Sequence, residues 1–195
     1  ELEPAAAPTV AVVVRPLHPV PAALYERGVD TVTASFRMNA ESPIGRHKTL
    51  NYLEKLVAKT EAREQGAYEA LFLNTQGHLA EGASSNVFLV VGRRVVTPAL
   101  GAGILPGVTR REVLDLARGE EYRPEERPVT LHELHEASEV FLTNSMIELL
   151  PVCAVDGRPV GQGIPGAVTR GLHAAYRRKV QESAEAFRHT HGEDR

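Results

Sequence analysis

The sequence predicts a mixed α/β (α+β) fold, and three observations predict it. Short β-branched or alternating runs recur at 29–37 (VDTVTASFR), 68–74 (YEALFLN), 86–91 (NVFLVV), 94–97 (RVVT), 139–144 (EVFLTN) and 151–155 (PVCAV). Longer stretches of helical period stand among them at 50–66, 108–118 and 165–187. The chain has 195 residues, 43% of them hydrophobic and 24% charged, which is enough to bury a core.

Each element has its own warrant. Residues 9–14 (TVAVVV) read as a short buried strand, because β-branched side chains suit a pleated surface. The stretch 15–23 (RPLHPVPAA) holds three prolines, which lack an amide donor and fix φ, so it reads as an extended connector and a domain boundary. Residues 38–47 read as loop. In the helix over 50–66, Leu53, Leu56, Val57 and Thr60 form the expected buried face, Lys55 and Lys59 the solvent face, and Gly66 the stop. Strands 68–74, 86–91 and 94–97 follow as an antiparallel meander, with turns at Thr75–Gly77 and Gly92-Arg93. A glycine-rich loop, 98–107 (PALGAGILPG), opens the helix over 108–118. Thr130 and Glu133 have the spacing of a capping box. Asp156-Gly157 turns the last hairpin. The final helix, 165–187, aligns Val168, Leu172, Ala175, Tyr176 and Val180 on one face, and the tail after it is polar.

Composition excludes several classes of function. There are 22 Lys plus Arg against 25 Asp plus Glu, for a net charge of −3, and no block of like charge marks a nucleic-acid footprint. The apolar runs at 10–14 and 87–91 fall far short of the roughly 20 residues that a membrane helix needs. Cys153 is the single cysteine, so no intrachain disulfide forms; it reads as a small core residue in a protein of a reducing, cytoplasmic setting. The chain opens on Glu1 inside an Ala/Pro stretch, which reads as a beginning that is cut or missing.

Local motifs narrow the chemistry. Only four of the 22 basic residues are lysines (Lys48, Lys55, Lys59 and Lys179), so chemistry that needs an amine has few candidates. Lys48 alone lies outside a clearly amphipathic helix, after a loop and just before one. The loop GAGILPG (101–107) is not a dinucleotide fingerprint, because its third glycine comes one place late. A glycine-rich loop entering a helix does offer free amides and a positive dipole end to an anion, and Thr109 sits in that first turn. HELHE (132–136) spaces its histidines three apart, which is wrong for a zinc-protease pair. Ser84 and Ser85 lack the frame of a nucleophile elbow. Glu81 stands between a polar turn and an apolar strand and is followed by small residues, which permit a flat ligand to approach.

The order of these motifs carries more than any one of them. HKTLNY with Lys48, EGASSNVF with Glu81, LPGVTR (105–110) and FLTNS (141–145) together resemble the class IV aminotransferase family of fold type IV pyridoxal-phosphate enzymes, over about residues 9–180. That family includes branched-chain and D-amino acid aminotransferases and 4-amino-4-deoxychorismate lyases.

The resemblance implies pyridoxal 5'-phosphate as cofactor. It makes Lys48 the lysine that bonds the cofactor's aldehyde carbon and moves the substrate proton, and Glu81 the carboxylate facing the ring nitrogen. Val108, Thr109 and Ser145 match phosphate contacts. Ser145 and Met146 also match amides that receive a substrate carboxylate. Tyr52 matches a tyrosine near the cofactor's phenolic oxygen, and Leu105 a residue packed on the ring. The domain organisation implied is the last strand of a small N-terminal domain at 1–15, a connector at 16–23 and the large C-terminal cofactor-binding domain at 24–195, most of the small domain being absent from this chain. A homodimer and a small-molecule substrate are implied as well. Within the family, HKTLNYLEKLVAKTEAREQGA, TNSM and DGRPVGQGIPG look more like the lyase, which eliminates pyruvate and gives 4-aminobenzoate for folate. An aminotransferase acting on branched-chain, aromatic or D-amino acids is the alternative. A non-catalytic remnant is the second alternative, and intact Lys48 and Glu81 weigh against it.

Overall fold

The alternation within single strands sets the layering. In the strand Asn86–Val91, Val87 and Leu89 enter one apolar cluster while Phe88 and Val90 enter another. In the strand Glu139–Asn144, Val140 and Leu142 divide from Phe141 in the same way. Side chains of period two are thus buried on both faces, and the sheet must be covered on each.

The computed structural model describes residues 9–120 and 122–191. Its elements in chain order are α1 (Ala22–Arg27), β1 (Val29–Thr33), α2 (Leu53–Glu64), β2 (Glu69–Leu73), β3 (Leu79–Gly82), β4 (Asn86–Val91), β5 (Arg94–Pro98), α3 (Val108–Gly119), β6 (Arg123–Arg127), α4 (Leu131–Glu136), β7 (Glu139–Asn144), β8 (Glu148–Val155), β9 (Arg158–Pro159) and α5 (Ala167–His191). The mixed α/β expectation therefore holds. One sheet runs β3-β2-β1-β8-β7-β4-β5-β6, with β9 paired to β8. The pairs β1/β2, β1/β8 and β5/β6 are parallel, and the others are antiparallel.

The sheet has to curl. Ala83, Ser84 and Ser85 alone link β3 to β4, so Gly82 and Asn86 stand at most about 14 Å apart along an extended chain. In a flat sheet the five steps between those strands would span roughly 24 Å. Curling folds the edge strand β3 back toward β4, and the amide of Gly82 donates to the Ser85 carbonyl at 2.7 Å across the link. The concave face holds Leu71, Val87, Val96, Leu142 and Val152. Outside it, α2 packs Ala58 and Ala62 against Ala70 and Phe72, while α3 and α5 cover the parallel-stacked rings of Phe88 and Phe141.

Several expected elements are found as read. Asp156 and Gly157 both have positive φ, at 52° and 73°, as a two-residue hairpin turn of this kind requires. Thr130 and Glu133 form the reciprocal capping box of α4. Cys153 is buried with its thiol against the Arg27 carbonyl, and burial, with Asp30 adding to it, raises its pKa.

Other elements differ. Residues 9–14 form no strand: Val10, Val12, Val13 and Val14 are exposed, and among the described residues no strand pairs with them. The meander is broken, because β2/β3 and β4/β5 are separate hairpins on different arms of the sheet. The connector ends earlier than expected, since α1 begins at Ala22. Val180 lies half exposed on the last helix instead of completing its buried face.

The largest correction concerns α2. Leu53, Leu56, Val57 and Thr60 face outward, while Lys55 and Lys59 lie on the partly buried face with Ala58 and Ala62. Small alanines let the helix sit close to β2. Two acids below it, Glu69 and Glu81, are almost wholly buried, and burying an unpaired charge is costly. The lysines turn in to meet them.

The start of α5 gives a test of the packing. Glu139 on β7 accepts the amides of Val168 and Thr169 at 3.0 and 2.7 Å and the Thr169 hydroxyl at 2.6 Å, so it caps the helix from a strand. Gly166 has no side chain to collide with that carboxylate. Glu139→Ala is expected to lower stability by about 1–2 kcal/mol, the range of a lost helix cap, measured as a shift in the urea midpoint at constant slope.

Candidate functional site

The curled link between β3 and β4 gathers four of the singled-out segments. Glu81 lies in β3, just before the link, and is 2% exposed. Its Oε2 accepts the Leu105 amide at 3.0 Å and faces Asn86 Nδ2 at 3.4 Å. Asn86 Nδ2 also donates to the Leu105 carbonyl at 2.9 Å, so one side chain ties the acid, the start of β4 and the glycine-rich loop together. Gly107 is needed where that loop enters α3, since a Cβ there would stand 2.1 Å from Asn86 Oδ1. The loop after β7 joins from the other side. Asn144 Nδ2 donates to the Ser84 carbonyl at 2.8 Å, and its Oδ1 accepts the amides of Met146 and Ile147.

Glu81 is a buried acid with a cation in contact. Lys55 Nζ donates to its Oε1 at 2.6 Å. Burial raises the Glu81 pKa; Lys55 and the Leu105 amide oppose the rise, and Glu69 adds to it. Glu69 lies one step further along and accepts the Ser84 amide and the Ser84 and Ser85 hydroxyls, with Lys59 3.8 Å away. Lys59 donates to Ser84 Oγ at 2.9 Å. Tyr52 closes the group: its hydroxyl donates to the Ala83 carbonyl at 2.6 Å, and burial, with Glu69 and Glu81 adding to it, raises its pKa.

The sequence-derived site residues are only partly brought together. Glu81, Leu105 and Tyr52 are joined to the link by the bonds above. Thr109 is buried in the first turn of α3, and Val108 beside it is exposed. The N-terminus of α3, capped by Gly107, has no side-chain cap, so its first amides keep their anion-binding capacity. Ser145 and Met146 lie exposed on the loop pinned by Asn144. Lys48 stands apart, solvent-exposed in the segment between the short 3₁₀ turn Pro43–Arg46 and α2. The amine found on Glu81 is Lys55. Of two surface clefts, one is bordered by Leu24, Tyr68 and Cys153 and the other, beside the entrance to α3, by Gly107, Arg110 and Glu126; neither is lined by Lys48 or Glu81.

Sequence reasoning did not single out Lys55, Asn86, Asn144 or Glu69. Helical period places Lys55 on the solvent face, whereas it lies partly buried on Glu81. Asn86 had a readable signal, as a polar residue opening an otherwise apolar strand. Glu69 had the same kind of signal, an acid inside the run YEALFLN.

The sequence profile of the Amino-transferase class IV family matches residues 2–155. The chain is 36% identical over 165 residues to an Aquifex aeolicus protein named a probable branched-chain-amino-acid aminotransferase, covering 83% of this chain and 53% of that protein. Its fold superimposes on the branched-chain amino acid aminotransferase of Thermobaculum terrenum in the PLP form, with a TM-score of 0.77 and 35% identity, over 83% of this chain and 54% of that one. It also superimposes on a Legionella pneumophila protein named a candidate 4-amino-4-deoxychorismate lyase, with a TM-score of 0.75 and 27% identity, over 78% and 56%. The chain belongs to the class IV aminotransferase family. It spans about half the length of the first curated relatives it matches.

Burial of Glu81 gives a pH signature. A carboxyl whose pKa is raised on folding stabilises the fold at low pH, and that contribution is lost as pH rises from the ordinary carboxylate range through the raised value. Glu81→Gln removes the titration. The melting temperature of the variant minus that of the wild type is therefore expected to increase as pH is raised from about 4 to 8; a difference that stays flat or falls with pH contradicts the burial cost.

Proposed function

We propose that this chain is the cofactor-binding part of a pyridoxal-phosphate-dependent aminotransferase, which moves an amino group between an amino acid and a 2-oxo acid. One observation carries the reading. Leu105 binds the buried acid through its amide, and only Pro106 and Gly107 separate it from the uncapped N-terminus of α3. An acid and an anion subsite therefore stand within about 10 Å of chain, a span that a single aromatic phosphate ester can bridge.

The residue types match the handles that pyridoxal phosphate offers. Bound there, the cofactor supplies an electron sink for negative charge at the substrate carbon. Glu81 holds a proton on the ring nitrogen. The amides at Val108 and Thr109, the Thr109 hydroxyl and Ser145 hold the phosphate. Leu105 lines the ring. Ser145 and the Met146 amide receive the substrate carboxylate. Lys48 holds the aldehyde carbon and carries the proton at the substrate carbon. Tyr52, four residues beyond Lys48, is anchored to Ala83, two residues beyond the acid, and this anchor supports the assignment of Lys48. A homodimer and a cytoplasmic setting belong to the same reading. The outward Leu53, Leu56 and Val57 of α2 support the first and the lone Cys153 the second; sedimentation of the purified protein checks the dimer. No helix among the described residues is long and apolar enough to cross a membrane.

A second reading, the lyase that eliminates pyruvate from 4-amino-4-deoxychorismate and yields 4-aminobenzoate, draws support from the likeness to the Legionella protein. It uses the same residues. The separating assay supplies pyridoxal phosphate and follows amino transfer from branched-chain, aromatic and D-amino donors against 4-aminobenzoate release. Transfer without 4-aminobenzoate is expected. Lys48→Ala is expected to lower turnover by at least about a hundredfold, as loss of the proton-carrying amine does, and to abolish the cofactor label that borohydride reduction fixes on that lysine's peptide. Unchanged turnover and labelling in Lys48→Ala would reject the assignment.

A further inference from the structure

The inward lysine on α2 has no part in the reading above, and it holds the atom that the reading needs. Glu81 Oε2 is engaged by the Leu105 amide and by Asn86. That leaves Oε1 for a cation, and Lys55 Nζ sits on it at 2.6 Å. A protonated ring nitrogen would seek the same oxygen. Glu81 carries one negative charge, lies 2% exposed and has nothing else to share with a second cation. Inside a protein two like charges repel more strongly than in water. Lys55 is free to leave, since its side chain is 21% exposed and its stem is flexible. Lys59, one turn on, does not contact Glu81; it is engaged by Ser84 and lies 3.8 Å from Glu69.

We propose that Lys55 competes with a cationic ring nitrogen for Glu81 Oε1, so that Lys55 sets how tightly the cofactor ring is held. This rests on the pyridoxal-phosphate reading. Lys55 acts through Glu81 and is a positioning residue. It pairs the charge of the buried acid, and it opposes loading until the ring takes its place.

The test uses 4'-deoxypyridoxine 5'-phosphate, which has the ring nitrogen and the phosphate but no aldehyde, so Lys48 cannot bond to it. Lys55→Met is expected to bind it about tenfold more tightly than wild type, a usual size of coupling between two ligands. Its affinity for inorganic phosphate, which lacks the nitrogen, is expected to stay unchanged, and Lys55→Arg is expected to resemble wild type. A second measurement needs no variant. Saturating wild type with the analogue is expected to raise the rate at which an amine-reactive reagent labels Lys55, read by peptide mass against Lys59, because a displaced ammonium group is exposed to solvent. Equal or weaker analogue binding by Lys55→Met, or Lys55 labelling that stays constant or falls, overturns the proposal. If the Met variant does not fold, the labelling result decides alone. Pyridoxal phosphate that still becomes fixed to Lys48 on reduction, beside either negative result, leaves the functional reading standing and removes only this one. Failure of both the analogue and pyridoxal phosphate to bind wild type removes both.

Discussion

A carboxylate taken almost wholly out of water is the constraint to which the rest of this structure answers. Glu81 cannot sit at the end of β3 as an isolated charge. Its surroundings are a set of donors drawn from three other segments of the chain: an amide from the glycine-rich loop, an amide nitrogen from β4 and an ammonium group from α2. Each donor fixes the element that carries it. The Leu105 contact sets where α3 starts, and the Lys55 contact sets the rotation of α2 about its axis. A hydrophobic core of the same size could hold the sheet without any of these contacts. A buried acid kept at such a cost in stability is therefore better explained by chemistry than by packing.

The curl of the sheet makes the arrangement possible. The three-residue link folds an edge strand onto the middle of the sheet and stacks Gly82 and Ser85 against each other. The segments at the acid come from residues 52–59, 81–86, 105–109 and 144–147. They meet because β3 and β7 end, and β4 begins, on the same side, while α2, α3 and α5 lie outside the curved sheet. Loops that meet at strand ends can vary in sequence without disturbing the apolar face behind them.

Much of the fold was legible, and the reasons are local. β4 and β7 have the bounds that their sequence predicts, because β-branched runs bounded by turn residues have few alternatives. The Asp156-Gly157 turn and the Thr130–Glu133 cap were readable because each is complete within four residues. What was not readable depended on partners far along the chain. TVAVVV looks like a strand in isolation, but a strand exists only where another offers it a ladder. The meander was a fair extrapolation from neighbouring runs, and it failed because three small residues allow a crossing as easily as a turn. Of the candidate site, the burial of Glu81 and the entrance to α3 have local signals, since an acid beside small residues and a glycine-rich helix start are unusual. Asn86 and Asn144 were not, because an asparagine's role lies in the two segments it joins.

The inverted face of α2 shows what periodicity measures. Leucines at helical spacing mark a stripe, and burial of that stripe is the common outcome because apolar surface is the commonest thing a helix has to hide. Here two acids lie beneath the helix, and the balance shifts. Turning Leu53, Leu56 and Val57 inward would gain apolar burial but strand Glu69 and Glu81 without cations. Leaving a buried charge unpaired costs more than leaving a few leucines exposed. The leucines can also recover burial against another surface, whereas the acids have no second source of positive charge on β2 or β3. The lysines therefore decide the rotation of the helix. The apolar stripe that results is the consequence of that choice: Leu53, Leu56 and Val57 stay exposed while Glu69 and Glu81 are buried and paired.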